Sequence, residues 1–258
     1  MADSPITADD LVPLVPLVEE GYPRNFIRQA VCELRFPTLM SLGASRPPEK
    51  FIAALRKRFP LTESANEVTL SASESELSGH VHILKSTKGT WSVTLKQSSV
   101  ALEAFRYTTY AEFRARAHEV LAAALLVIDS DYFTRIGLRY INVIQTDASP
   151  MLEWINPVLS GALHGQGFRS FSEFAGKFAL STEDGGCTLQ HGIRLKSTSQ
   201  LPGPTSDPPD YVIDIDTFRN EVTDADAMTA LDTMHRQAFS LFSWAIGEKA
   251  REKLTALK

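Results

Sequence analysis

The chain has 258 residues, 43% hydrophobic and 22% charged, the composition of a globular protein able to bury a core in one large domain or two small ones. Its net charge of −5 and pI of about 5.7 oppose a dedicated duplex-DNA binder, which needs a basic excess against phosphate. Cys32 and Cys187 are the only cysteines, which excludes a disulfide framework and a four-cysteine zinc site, and no apolar run reaches the roughly 18 residues of a membrane span.

Residues 1–24 read as an extended arm. Pro13 and Pro16 forbid a regular helix, while Val12, Leu14, Val15, Leu17 and Val18 are too apolar for a plain linker. Such a row seeks a groove, on the chain's own body or on a second subunit. The arm starts acidic and has no unbroken apolar centre, unlike a secretory signal, so a cytoplasmic location is expected. "FIRQAVCELRF" (26–36) then alternates as a half-buried strand. Ala30, Cys32, Leu34 and Phe36 face one way, Gln29, Glu33 and Arg35 the other, and Arg28 breaks the pattern. Prolines open a helix over 46–60, striped by Phe51, Leu55 and Phe59 and stopped at Pro60. Short strands follow at 67–73, 77–86, 91–97 and 100–106, with Lys88-Gly89 as a hairpin tip. Phe113, Ala117, Leu121, Ala124, Leu125 and Ile128 predict a helix over about 109–128.

The plan then recurs. "YFTRIGLRYINVI" (132–144) is a strand, and 151–163 suggests a short helix bent or started by Pro157. Strands are predicted at 171–182, 187–197 and 211–218, the last two joined by the proline-rich stretch 198–210. A final helix over about 224–254, N-capped by Asp224, carries Met228, Leu231, His235, Ala238, Leu241, Phe242, Ala245 and Ile246 on one stripe. Strand, helix, antiparallel meander and long helix thus occur twice. The expected class is α+β, with a first repeat over 25–130 and a second over 131–258, packed as one pseudo-symmetric unit. Their first strands would lie side by side in a curved antiparallel sheet, with both long helices on one face. This element order is similar to the duplicated saddle of the TATA-binding protein and to helix-grip folds, a likeness that carries no function. The alternative is two independent α+β domains divided near residue 130.

"RIGLRYIN" (135–142), following a helix start marked by Tyr107, Tyr110, Glu112 and Phe113, resembles a sporadically distributed bacterial family of uncharacterised proteins of about this length. "YPRNFIRQAVCELRF" (22–36) shares the likeness, and the last helix around Leu231 and His235 matches loosely. The resemblance runs from Tyr22 onward and implies a common bacterial architecture; it carries no catalytic residues over to this chain and says nothing about chemistry. Sporadic distribution implies a mobile accessory role, such as toxin neutralisation or phage defence.

Few residues suggest chemistry. His80 and His82 share one strand face, as do Asp214 and Asp216, and together they are candidate ligands for zinc or non-haem iron; any alternating strand yields such pairs. Cys187 and His191 share a face with Leu189 and Ile193, where a thiol is an inert core residue more often than a nucleophile. His235 on its helix stripe reads as a hydrogen-bonded core or boundary residue. The glycines of 41–48, 163–168 and 181–188 match no phosphate-loop pattern, so no cofactor is expected. A single-stranded nucleic-acid platform would draw on Arg35, Lys96, Arg135, Arg139, Lys177, Arg194 and Lys196, but Glu33, Asp214 and Asp216 on the same face oppose phosphate. If the two first strands pair, Glu33 and Arg35 come close to Arg135 and Arg139. Those four residues are either ion pairs or a ligand grip with a spare guanidinium. The expected function is non-enzymatic binding of another protein or self-association, through the arm among other elements. The alternatives are a small-ligand protein or enzyme with a pocket between sheet and long helices, and a single-stranded nucleic-acid binder.

Overall fold

Side-chain alternation becomes nine strands: β1 (Ile27–Arg35), β2 (Leu61–Leu70), β3 (Ser75–Lys85), β4 (Trp91–Leu95), β5 (Ser99–Ala104), β6 (Tyr132–Gln145), β7 (Phe174–Thr182), β8 (Gly185–Arg194) and β9 (Asp210–Thr223). The helices are α1 (Glu49–Leu55), α2 (Tyr110–Leu125), α3 (Met151–Trp154), α4 (Pro157–Ser160), α5 (Ala227–Ala245) and α6 (Glu248–Thr255). The computed structural model describes residues 6–15, 22–70, 75–147, 149–164, 173–194 and 210–256. The strands make one open antiparallel sheet in the order β2-β3-β4-β5-β1-β6-β9-β8-β7. The two first strands, β1 and β6, are neighbours in it. Among the described residues no helix is long and apolar enough to cross a membrane.

Contacts gather the chain into two compact units. One comprises Gln29–Leu138 and Phe218–Thr233. Its β1 pairs with β5 from Ala30↔Ala104 to Arg35↔Ser99, and β5 pairs with β4. Ala30, Cys32, Leu34, Val93, Leu95, Val100 and Leu102 are buried, as are Phe51 and Leu55 of α1 and Phe113, Ala117 and Val120 of α2. Thr109 caps α2 by accepting the Glu112 N–H at 3.2 Å. The next residue, Tyr110, donates its hydroxyl to Asp232 at 2.7 Å, and one turn further on Arg114 grips the same carboxylate with two nitrogens at 2.7 and 2.9 Å. The short helix expected between β1 and β2 forms, but β2 begins directly after Pro60, six residues before the sequence pattern places it. The strand is polar over Thr62–Asn66, where apolar alternation gives no signal.

The second unit comprises the remaining described residues. Tyr211, Ile213 and Ile215 of β9 and Tyr140 and Ile144 of β6 are buried, with Asn142 among them satisfying the Ile213 carbonyl at 3.2 Å. The segment 151–163 forms α3, α4 and a following 3-10 turn instead of one helix, because Asn156 caps a new start at Pro157. The last helix is likewise two. It starts at Ala227, and Asp224 accepts from its neighbour Ala225 at 2.8 Å instead of capping it. It breaks at Ile246-Gly247, where Ile246 bridges Ile155 and the Gly247 N–H donates to Trp154 O at 2.7 Å. A Cβ on Gly247 would lie 2.3 Å from the Glu153 carbonyl oxygen, so this close backbone approach admits only glycine. The predicted proline-rich connection falls outside the described residues except for Asp210, as do residues 165–168 of the glycine pair after α4.

Gly247→Ala must push two backbones apart and is expected to lower stability by about 1–3 kcal/mol. Urea unfolding followed by circular dichroism measures this, and an unchanged midpoint would contradict the seam.

Candidate functional site

On β6 the even positions Ile136, Leu138, Tyr140, Asn142 and Ile144 are buried, which leaves Arg135 and Arg139 on the other row. Arg139 meets Asp214 as a two-point fork, Nε to Oδ1 at 2.8 Å and Nη2 to Oδ2 at 2.5 Å. The carboxylate is the more enclosed partner, 14% exposed against 47%. Arg135 lies 3.6 Å from Glu33, and its guanidinium sits 4.7 Å above the Phe218 ring. Gly137 makes this possible: a Cβ there would come within 2.7 Å of the Arg135 Nη1. Glu33 also accepts from Arg35 Nε at 2.8 Å. All three arginines therefore have a carboxylate, Glu33 for Arg35 and Arg135 and Asp214 for Arg139.

The metal candidates do not assemble. Among the described residues no three His, Cys, Asp or Glu side chains gather as a metal shell, and β3 and β9 are not neighbours in the sheet. His80 is half-buried, whereas His82 is fully buried, with the Leu42 and Ala44 backbone near its ring but no well-formed hydrogen bond at either nitrogen. Burial holds the His82 pKa below the ordinary imidazole value, against a smaller opposing pull from the Ala44 and Leu42 backbone. Asp214 is engaged by Arg139. Cys187 and His191 are both buried but stand four residues apart on one strand, on the order of 13 Å, too far for a thiol–imidazole pair. His191 shares a 2.7 Å hydrogen bond with the Tyr211 hydroxyl, and its ring lies between Phe178 and Tyr211. Burial lowers its pKa as well. His235 makes a 3.1 Å contact with the Tyr140 hydroxyl, the hydrogen-bonded role expected of it. The Cys32 thiol is pushed up to about 12 by burial, out of the range of a nucleophile.

The arm, as far as residues 6–15 describe it, docks on its own chain. Asp184 accepts the Ala8 N–H with both oxygens at 3.0 and 3.2 Å. Gln237 donates to the Ala8 carbonyl at 2.7 Å, and the Val15 N–H reaches Ser240 at 3.1 Å. Ala8 and Val12 are buried there, while Leu14 and Val15 stay exposed. Of the basic residues considered for nucleic acid, Lys177 is exposed on β7; Lys196 and the Arg194 side chain lie outside the described residues.

Two features were missed by pattern reading. The first is the end strand β7, which among the described residues has a neighbour on one side only. From Lys177 to Ser181 every side chain is exposed, including Phe178 at 49% and Leu180 at 42%. The second is a cleft of about 530 Å³ in the second unit, where β1 begins, β6 ends and β9 begins. Arg24, Arg28, Lys253 and Asp210 are its charged lining. The break in alternation at Arg28 was the available signal. No family model and no curated protein matches the chain.

Two measurements follow from this geometry. Arg139→Ala leaves the enclosed Asp214 without its fork and is expected to cost about 1 kcal/mol, whereas Arg35→Ala on the more exposed pair costs less than half of that. Equal costs in urea titrations would remove the distinction. The lowered pKa values of His82 and His191 mean that the unfolded chain takes up protons first on acidification. Stability present at neutral pH is therefore lost as pH falls below about 6.5. His82→Phe should flatten the fall of the urea midpoint between about pH 7 and 5, and a wild-type midpoint constant over that range would refute it.

Proposed function

We propose that the protein acts by binding another protein rather than by catalysis, with the β7 edge as the seat of the contact. The observation that carries this reading is the exposed, nearly uncharged run Phe178–Ser181 on an end strand. Soluble proteins blunt such edges with charge, proline or a covering element, and β7 offers Lys177 as its one charged side chain over Phe174–Thr182. An extended partner segment pairs with the strand's outer backbone, while Phe178 and Leu180 supply side-chain contacts. The accessory role in toxin neutralisation or phage defence belongs to the same proposal and rests on the sequence resemblance alone.

We also infer that the chain is a duplication. Its support is the strand order, which reads outward as β1-β5-β4-β3-β2 on one side and β6-β9-β8-β7 on the other. Each series starts with the first strand of a repeat and returns to it through a meander. The single-stranded nucleic-acid reading draws less support, because Arg35, Arg135 and Arg139 each face a carboxylate.

The test is to identify by mass spectrometry what co-purifies with the native protein, then to measure its affinity for a variant carrying Phe178→Ser and Leu180→Lys. Affinity is expected to fall at least about tenfold, with the melting temperature within about 3 °C of wild type. A partner held equally well by the variant would move the contact away from β7.

A further inference from the structure

The cleft at the start of β1 carries a charge pattern found at none of the arginines described above. Arg35, Arg114, Arg116, Arg135 and Arg139 each face a carboxylate within 4 Å. Among the described residues neither Arg24 nor Arg28 enters a salt bridge. Lys253 joins them from α6. Its ammonium is held by the Gln145 carbonyl at 3.3 Å and stands 5.2 Å over the Trp154 ring, and among the described residues it enters no salt bridge either. Among the described residues Asp210 is the one acid in the lining. Among the described residues, three cations against one carboxylate leave a surplus of two positive charges.

Position reinforces the charge argument. Arg28 shares its strand parity with Ala30, Cys32 and Leu34, all buried, yet it is exposed and lines the cleft. An arginine on the apolar row of a strand costs core surface unless the row has ended and the side chain has another use. The backbone nearby is fixed: the Arg24 N–H donates to Leu254 O at 3.3 Å, the Ile27 N–H to the Asn25 side chain at 3.1 Å, and the Val143 N–H to Phe26 O at 2.9 Å. Phe26, Ile27 and Val143 give the cleft an apolar wall. A volume of about 530 Å³ is that of a small-molecule site, with charged groups set against an apolar lining.

We propose that this cleft binds a phosphorylated small molecule. The guanidinium forks of Arg24 and Arg28 take the phosphate oxygens at two points each, and Lys253 adds a point charge. The surplus of two charges matches a doubly ionised phosphate better than a single carboxylate. Phe26 and Val143 lie against the organic part of the ligand. The site is independent of the β7 edge, so either proposal can fail without the other.

The experiment is calorimetric titration of the full chain with inorganic pyrophosphate and, at matched ionic strength, with sodium citrate. Pyrophosphate is expected to bind at least tenfold more tightly than citrate, and Arg24→Gln with Arg28→Gln to weaken it at least tenfold. Should the double variant not fold, Lys253→Gln on the exposed face of α6 takes its place, with an expected loss of at least threefold. Absence of pyrophosphate binding to the wild-type chain overturns the proposal. So does tighter binding of citrate, or a folded variant that binds pyrophosphate as the wild type does.

Discussion

A fourteen-residue strand inside a sheet has to bury one row of side chains and leave the other to water, and β6 sets that condition for its surroundings. Its buried row holds Ile136, Leu138, Tyr140 and Ile144, and a register slip of one residue would drive Arg135 and Arg139 into their places. The two arginines are thus as much a register device as a surface feature. Asp214 holds the charged row at one point and Glu33 at another, each within one compact unit.

Period-two and helical spacing made most of the fold legible. β1, β6 and α2 lie close to where Ala30–Cys32–Leu34, Ile136–Leu138–Tyr140 and Phe113–Ala117–Leu121 place them. The misses have local causes. β2 starts early because Thr62–Asn66 is a polar edge segment with nothing to bury, so hydrophobic spacing is silent there. The last helix divides at Gly247 because the Trp154 backbone comes too close for a side chain, a contact from 93 residues away that no local propensity encodes. Asp224 is a good cap residue by type, but β9 runs on to Thr223 and turns before the helix begins.

The candidate sites divide in the same way. Charge complementarity between sequence-distant strands could be anticipated for Arg139 and Asp214, since alternation fixes the face and only the strand order was missing. The cleft could not, because Arg24, Gln145, Asp210 and Lys253 come from four separate segments and only folding brings them together. Arg28 alone left a trace, as an exception in an otherwise regular strand. Such exceptions are informative because a strand that spends an apolar position on a cation departs from its own local rule. The histidines teach the converse. His82 and His191 have the residue type of metal ligands, but burial keeps them neutral and uncoupled from any third ligand.

The docking of residues 6–15 has a temporal consequence. Ala8 and Val15 leave the ribosome before their partners Asp184, Ser240 and Gln237, which follow 176 to 229 residues later. The segment is therefore made well before it can be seated. Until α5 has left the ribosome, its Gln237 and Ser240 cannot hold Ala8 and Val15, and the nascent chain carries the apolar residues of this segment without those contacts over that interval.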